Sequence, residues 1–288
     1  MKRKYSSLLG VFFMLAAGCS VVERQGVNAG APLIKDLVDK VMTLESASLA
    51  KEGLPGQLLL ISALVEFSPK NDQLLAVACQ GYTSYGLIVE LEDPGYADEL
   101  YGLAQDYGLR ALRYRNVAVD EGLTEGKHLV DLNKELTKGD VFQAFWYAMA
   151  SGLKTMLNLS DPYALTALGD VNGVMDRVVE LDETFFYYSP HLFRAAYYAL
   201  SGPMLGGGPE KAQKEFGYVF EKTQNKFLLA HAFYAQFYAA GIIDEALFDK
   251  TINYILSTPS DVLPKARLAN EIAKKKALWL KAHKDRFF

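Results

Sequence analysis

From Ala31 onward, apolar residues return every three to four positions with few interruptions, the period of amphipathic α-helices. The pattern predicts helices over 31–51, 57–67, 71–91, 95–115, 127–136, 140–157, 161–180, 184–203, 209–223, 227–240, 244–256 and 263–283. Breaks between them carry start signals: Ser68-Pro69-Lys70-Asn71-Asp72, Asp93-Pro94, Ser160-Asp161-Pro162 and Gly208-Pro209-Glu210. A proline in the first helical turn matches its fixed φ and missing N–H. The run Leu58 to Val65 is continuously apolar, but its length and leucine content favour helix over strand. No stretch alternates strictly enough to be a strand.

Short links between helices call for antiparallel hairpins. In the tetratricopeptide (TPR) repeat, the second helix carries an alanine, an aromatic four residues on and a small residue three later. Ala97, Tyr101 and Ala104 match that spacing. Gly81 and Tyr85 lie one residue out of register with the usual glycine and tyrosine of the preceding helix. Ala212 and Phe216 repeat the step, with Val219 at the small position. Small residues let two helices approach, and the ring fills the groove between them. Elsewhere the signature blurs, and the units run nearer 40 residues than 34. The expected fold is therefore all-α: stacked antiparallel helix hairpins, degenerate TPR-like repeats in an α–α superhelix. It occupies 31–288 as one domain, and a non-repeat helical domain is the alternative.

The N-terminus follows a different rule. Lys2, Arg3 and Lys4 precede an uncharged run from Leu8 to Ala17, and Ala16-Ala17-Gly18-Cys19 follows. A basic start, a short apolar segment and small residues before the cut describe a secretory signal. The run is too short to span a membrane, which takes about 20 residues. A cysteine directly after the small residues points to a lipoprotein, with residues 1–18 removed and 19–30 forming a lipidated tether. Cys19 would carry a thioether diacylglycerol and an N-acyl chain such as palmitate. No dissociable cofactor and no metal are expected.

Charge narrows the partners. The formal net charge is −4, and losing Lys2, Arg3 and Lys4 takes the mature chain to −7. An acidic surface argues against nucleic acid and against a polybasic membrane patch. Membrane attachment is then left to the lipid alone, at about 0.8 kcal/mol per buried CH₂. The second cysteine, Cys79, sits in Leu74-Leu75-Ala76-Val77-Ala78-Cys79 and reads as a small buried hydrophobe.

Catalytic constellations are scarce. His128, His191, His231 and His283 are far apart and form no His-x-x-x-His pair. Gly206-Gly207-Gly208 lacks the Gly-Lys-Ser/Thr of a phosphate loop, and Pro209 removes an amide, so it reads as a turn. Asp182-Glu183 read as favourable charges at a helix N-terminus. Aromatic rings are dense between 140 and 240. Tyr187-Tyr188 and Tyr197-Tyr198 cannot both face one side of a helix, so some rings lie off the core stripe. They either pack between repeats or line an apolar tunnel. The tunnel candidates are Trp146, Tyr147, Tyr187, Tyr188, Tyr197, Tyr198, Tyr234 and Tyr238, with His191 and Arg194 as a polar end.

The C-terminal segment Arg267-Leu268-Ala269-Asn270-Glu271-Ile272-Ala273 runs on to Ala277, Trp279, Leu280 and Phe287. With Leu205-Gly206-Gly207-Gly208-Pro209-Glu210-Lys211-Ala212, Trp146, Leu181-Asp182 and the lipoprotein start, it resembles the TatT family. These are TPR-containing lipoproteins associated with TRAP (tripartite ATP-independent periplasmic) transporters. Gly208 departs from the family, which often has an acidic residue before the proline.

The resemblance implies an all-helical fold of cryptic TPR hairpins and a periplasmic protein lipid-anchored to the inner or outer bacterial membrane. It also implies a homotrimer with a pore through each protomer and docking of the transporter's periplasmic solute-binding protein. Such transporters are driven by ion gradients and take up organic acids or hydrophobic ligands. The expected function is a non-enzymatic accessory one. The alternative is a TPR scaffold lipoprotein in envelope or outer-membrane assembly.

Overall fold

The computed structural model describes residues 26, 28, 30, 36–38, 40, 41, 43–161 and 163–288. The signal peptide and Cys19 lie outside the described residues. Eleven α-helices run from residue 47 onward: α1 (Ala47–Phe67), α2 (Asp72–Val89), α3 (Pro94–Arg115), α4 (Val117–Thr124), α5 (Val141–Leu157), α6 (Ala164–Asp182), α7 (Phe185–Leu200), α8 (Pro209–Lys222), α9 (Leu228–Phe233), α10 (Glu245–Ser257) and α11 (Arg267–Ala282). No strand occurs among the described residues, and the all-α expectation holds.

The start signals work as read. Asn71 Oδ1 accepts from the Leu74 amide at 3.0 Å, and Asp93 Oδ1 from the Tyr96 amide at 3.0 Å. Asp161 Oδ1 accepts from the Tyr163 amide at 2.9 Å. Asn71 and Asp93 each supply one orphan donor of a helix end with a partner, whereas the Asp161 bond falls on Tyr163, before α6 begins at Ala164. At 206–208, Gly206 has φ +78° and Gly208 φ +116°, and a Cβ on Gly207 would lie 2.1 Å from the Ser201 carbonyl oxygen. This is the tight turn expected there.

Sequential helices pack as neighbours: α1 on α2, α2 on α3, α3 on α5, α5 on α6, α6 on α7 and α7 on α8. Ala97, Tyr101 and Ala104 are fully buried, as are Ala212, Phe216 and Val219. Gly86 is the residue that makes room for Tyr101. A Cβ there would lie 2.3 Å from the ring. Gly81 faces Leu58 of α1.

The last helix then returns to the first. α11 packs on α9 and α10 and also touches α1. Two ionic contacts fasten the return. Lys276 of α11 pairs with Glu90, just past α2, and both are buried. Arg267 Nη1 pairs with Glu45 at 2.8 Å. Tyr101 completes the first contact, its hydroxyl donating to Glu90 Oε2 at 2.5 Å. Burial and the Glu90 charge hold that phenol well above its ordinary pKa.

Several predicted bounds change. Two helices are expected over 31–51 and 57–67, yet α1 is continuous from Ala47 to Phe67 and runs through Pro55. Buried Ala50, Leu58 and Ile61 on one stripe override the local cost of proline. The region 127–136 is a 3₁₀ segment (Leu129–Glu135), and α4 was not foreseen. Residues 234–239 form a π-turn that extends α9.

The predicted continuous helix at 184–203 is the largest correction. Phe186, Tyr187 and Tyr188 are left-handed, with φ of 43°, 60° and 61°. A right-handed helix resumes after them and carries Pro190 near its start. Proline removes one helical hydrogen bond and crowds the carbonyl four residues back, and at Pro190, unlike at Pro55, the turn before it breaks. Three L-residues in this region cost about 1–2 kcal/mol each, which packing of their rings must offset.

Candidate functional site

The left-handed turn aims its rings apart. Tyr188 goes to Tyr218 (6.1 Å between centroids), Tyr187 to Phe227 (5.3 Å) and Phe186 to Trp146 (5.3 Å). Phe186 and Trp146 thereby reach a cavity of about 60 Å³ where the first and last helices meet. α1 supplies Leu54, Leu58 and Ile61, α2 supplies Leu87 and Ile88, and α11 supplies Leu268, Ala269 and Ile272. Leu229 of α9 and, from before α1, Val38 and Val41 complete the apolar wall. Gln57, Gln80 and Ser84 are its polar members, and no charged side chain is among the described lining residues. Such a wall suits an apolar ligand.

A second, smaller cavity of about 30 Å³ shares Leu87, Ile88 and Ile272 with the first. It adds Leu91, Trp279, Glu92, Lys275 and the paired Lys276. A separate polar cavity of about 210 Å³ lies between α3, α5 and α6, lined by Gln105, His128, Tyr147, Ser151, Thr155 and Asp170.

Of the rings singled out from the sequence, Trp146 lines the apolar cavity and Tyr147 lines the polar one. Tyr187, Tyr188, Tyr197, Tyr198, Tyr234 and Tyr238 line neither. Tyr234 stacks on Tyr238 at 4.8 Å and edges onto Phe216 and Phe220. The π-turn sets these two tyrosines side by side. Burial, with the Tyr238 and Asp244 charges, pushes the Tyr234 phenol up to about 12. Tyr197 donates to the Leu205 carbonyl at 3.2 Å and so closes the glycine turn.

His191 and Arg194 belong to an ionic clamp, away from either cavity. His191 Nδ1 lies 2.6 Å from Glu215 Oε2, and its Nε2 lies 3.5 Å from Glu183. Arg194 reaches Asp176 at 3.0 Å and Glu215 at 3.2 Å, and its guanidinium lies 5.8 Å from the Tyr198 ring centroid. Burial raises the Asp176 pKa despite the opposing pull of Arg194. The clamp ties α6, α7 and α8 together below the left-handed turn. Asp182 and Glu183 also differ from their reading. Asp182 Oδ1 accepts from the Thr184 amide and hydroxyl at 3.1 and 2.7 Å, while Glu183 accepts from Tyr218 at 2.9 Å. They hold the junction between α6 and α7.

The cavity residues that sequence reasoning missed are Gln80, the leucines and isoleucines of α1, α2 and α11, and Phe186 as a wall. Their signal was weak, because each sits on an ordinary apolar stripe. Cys79 is free and fully buried, and burial pushes its thiol up to about 12, leaving it inert. Among the described residues, no group of three or more His, Cys, Asp or Glu side chains is placed to hold a metal ion.

The family described as TRAP transporter T-component (TAtT) matches residues 45–288. That span takes in every helix from α1 to α11. The chain belongs to the TRAP transporter T-component family. No curated protein matches it. The T-component is an accessory part of a transporter and works with its other subunits. Among the described residues of this T-component, no helix is long and apolar enough to cross a membrane.

Proposed function

We propose that this T-component is held in the periplasm by lipid on Cys19, docks the solute-binding protein of its transporter and passes an apolar ligand through the cavity between α1, α2 and α11. The observation that carries the reading is the apolar wall closed by Trp146 and Phe186, without a charged side chain among the described lining residues and built where the chain returns on itself.

The test is complex formation between the purified T-component and the solute-binding protein of the same transporter, by calorimetry and crosslinking. A complex at micromolar concentrations is expected. Two pure components that stay separate at those concentrations sink the proposal.

The homotrimer is part of the same proposal, and α1 supplies a surface suited to it. Leu49, Leu59, Leu60 and Phe67 are 54–70 % exposed on this helix. Four large apolar side chains on one helix of a soluble body mark an interaction surface. A C₃ contact would bury them against a second copy. The double substitution Leu59→Lys with Leu60→Glu is expected to convert a trimer to a monomer in light scattering coupled to gel filtration. An unchanged mass places the contact elsewhere.

A further inference from the structure

Asn28 is bonded to one end of the helical body. Its Oδ1 accepts from the Ser68 hydroxyl and from the Asn71 side-chain amide, both at 2.6 Å. Ser68 and Asn71 make the turn between α1 and α2. The same end gathers the close of α3 and the starts of α4 and α5. Arg115 pairs with Asp72 at the start of α2 (3.0 Å) and with Asp140 just before α5 (3.2 Å). Arg110 Nη2 donates to the Pro69 carbonyl at 3.4 Å. Val117, the first residue of α4, is 70 % exposed, and Tyr114 is 47 % exposed with Lys70 Nζ 6.0 Å from its ring centroid. The opposite end is far off, because the 18 residues of α2 rise about 27 Å to reach it. There Lys276 of α11 meets Glu90, and Lys284 joins Glu245 at the start of α10 at 2.6 Å. Ile243, 77 % exposed, lies at that opposite end, as do Leu91, Glu92 and Trp279 of the smaller cavity.

We infer that the end built from the α1–α2 turn and the α3–α4 junction faces the phospholipid surface, and that Asn28 sets this orientation. The inference rests on the proposed lipid at Cys19. Cys19 stands nine residues before Asn28, and nine residues span at most about 32 Å when fully extended. The acyl chains are therefore leashed to this end, and the bilayer meets it first. Its surface suits headgroups. The phenol of Tyr114 and the ammonium of Lys70 are side chains with an apolar body and a polar tip, the kind that settles at a membrane–water interface. Net charge contributes little, since Arg110, Arg113 and Arg115 are paired with Asp106, Asp120, Asp72 and Asp140. Orientation is set by the leash. It leaves the smaller cavity and Ile243 on the side turned away from the lipid.

The test uses the full chain purified from membranes and placed in vesicles of phosphatidylethanolamine and phosphatidylglycerol. Val117→Cys and Ile243→Cys each receive a nitrobenzoxadiazole label, and Cys79 is too buried to compete for it. The vesicles carry a lipid with a nitroxide on its headgroup as quencher. The label at 117 is expected to lose most of its emission, and the label at 243 to keep its own, because about 27 Å of helix separates the two ends. Asn28→Ala is expected to bring the two labels toward equal quenching. Equal quenching in the native background, or stronger quenching at 243, overturns the orientation. So does no quenching at either position while the protein floats with the vesicles. Strong quenching at 117 that survives Asn28→Ala overturns the role given to Asn28. Flotation of Cys19→Ala tests the anchor separately. If that variant floats as the native chain does, the lipid reading falls, whereas a native chain that alone floats but is quenched at 243 overturns only the orientation.

Discussion

Replacing Lys276 with methionine lowers the unfolding free energy by about 3–5 kcal/mol, read as a lower urea midpoint at unchanged slope. The reason is the company that Glu90 keeps. Its carboxylate is buried, with the Lys276 ammonium on one oxygen and the Tyr101 hydroxyl on the other. Methionine removes the ammonium and leaves an anion in a site with almost no water. The phenol alone cannot balance it. Adding Glu90→Gln to Lys276→Met should recover most of the loss, because the buried charge then disappears with its partner. If the single variant costs under about 1 kcal/mol, the pair behaves as a surface bridge and the burial argument fails. The stakes extend beyond stability. Lys276 is 186 residues from Glu90 and ties α11 to the end of α2, and these two helices are walls of the cavity.

The second large effect is on acid stability. His231 is buried, with its ring stacked on Phe220 at 4.1 Å and nearly parallel and with Tyr254 at 4.7 Å. Burial lowers its pKa from its ordinary 6.5 to about 4, against a smaller opposite pull from the Asn225 backbone. The folded protein therefore holds the ring neutral, while the unfolded chain protonates it below pH 6.5. Stability from this site is fully present above pH 6.5 and is lost as pH falls to about 4. At about 1.4 kcal/mol per pKa unit, the loss is about 3 kcal/mol. Carboxylates also titrate near the lower end, so the measurement is the difference between the native chain and His231→Phe across pH 4–7. The native chain should lose about 3 kcal/mol more than the variant. Parallel curves would show that the imidazole is hydrated or paired in the folded state.

Much of the fold was legible because it is local. Helical period, caps at Asn71 and Asp93, and the turn at 206–208 depend on residues within a few positions of each other. The Ala–aromatic spacing was legible too. Ala97–Tyr101 and Ala212–Phe216 each lie one helical turn apart, so the sequence states which face is buried. Pro190 was also in plain view, and it marks the break that the aromatic periodicity concealed.

The candidate site was much less legible. Rings attract attention in a sequence, yet Tyr234, Tyr238 and Tyr197 are spent on packing and turn closure. His191 and Arg194 are spent on Glu215 and Asp176. The acids sit on other helices, so no pattern along α7 reveals them.

The sequence by itself determined an all-helical body, the places where most helices begin, the buried faces marked by Ala97–Tyr101 and Ala212–Phe216, and a family resemblance that the match over 45–288 bears out. Tertiary structure alone decided that α11 returns to α1 and α2, and that Lys276 buries its charge against Glu90. It also decided that Trp146 and Gln80 share one apolar wall. The physical reason is distance along the chain. Hydrogen-bond caps and helical stripes act over a turn or two. A cavity wall is assembled from helices up to two hundred residues apart, and each contributes only leucines and isoleucines that look, one helix at a time, like any other core.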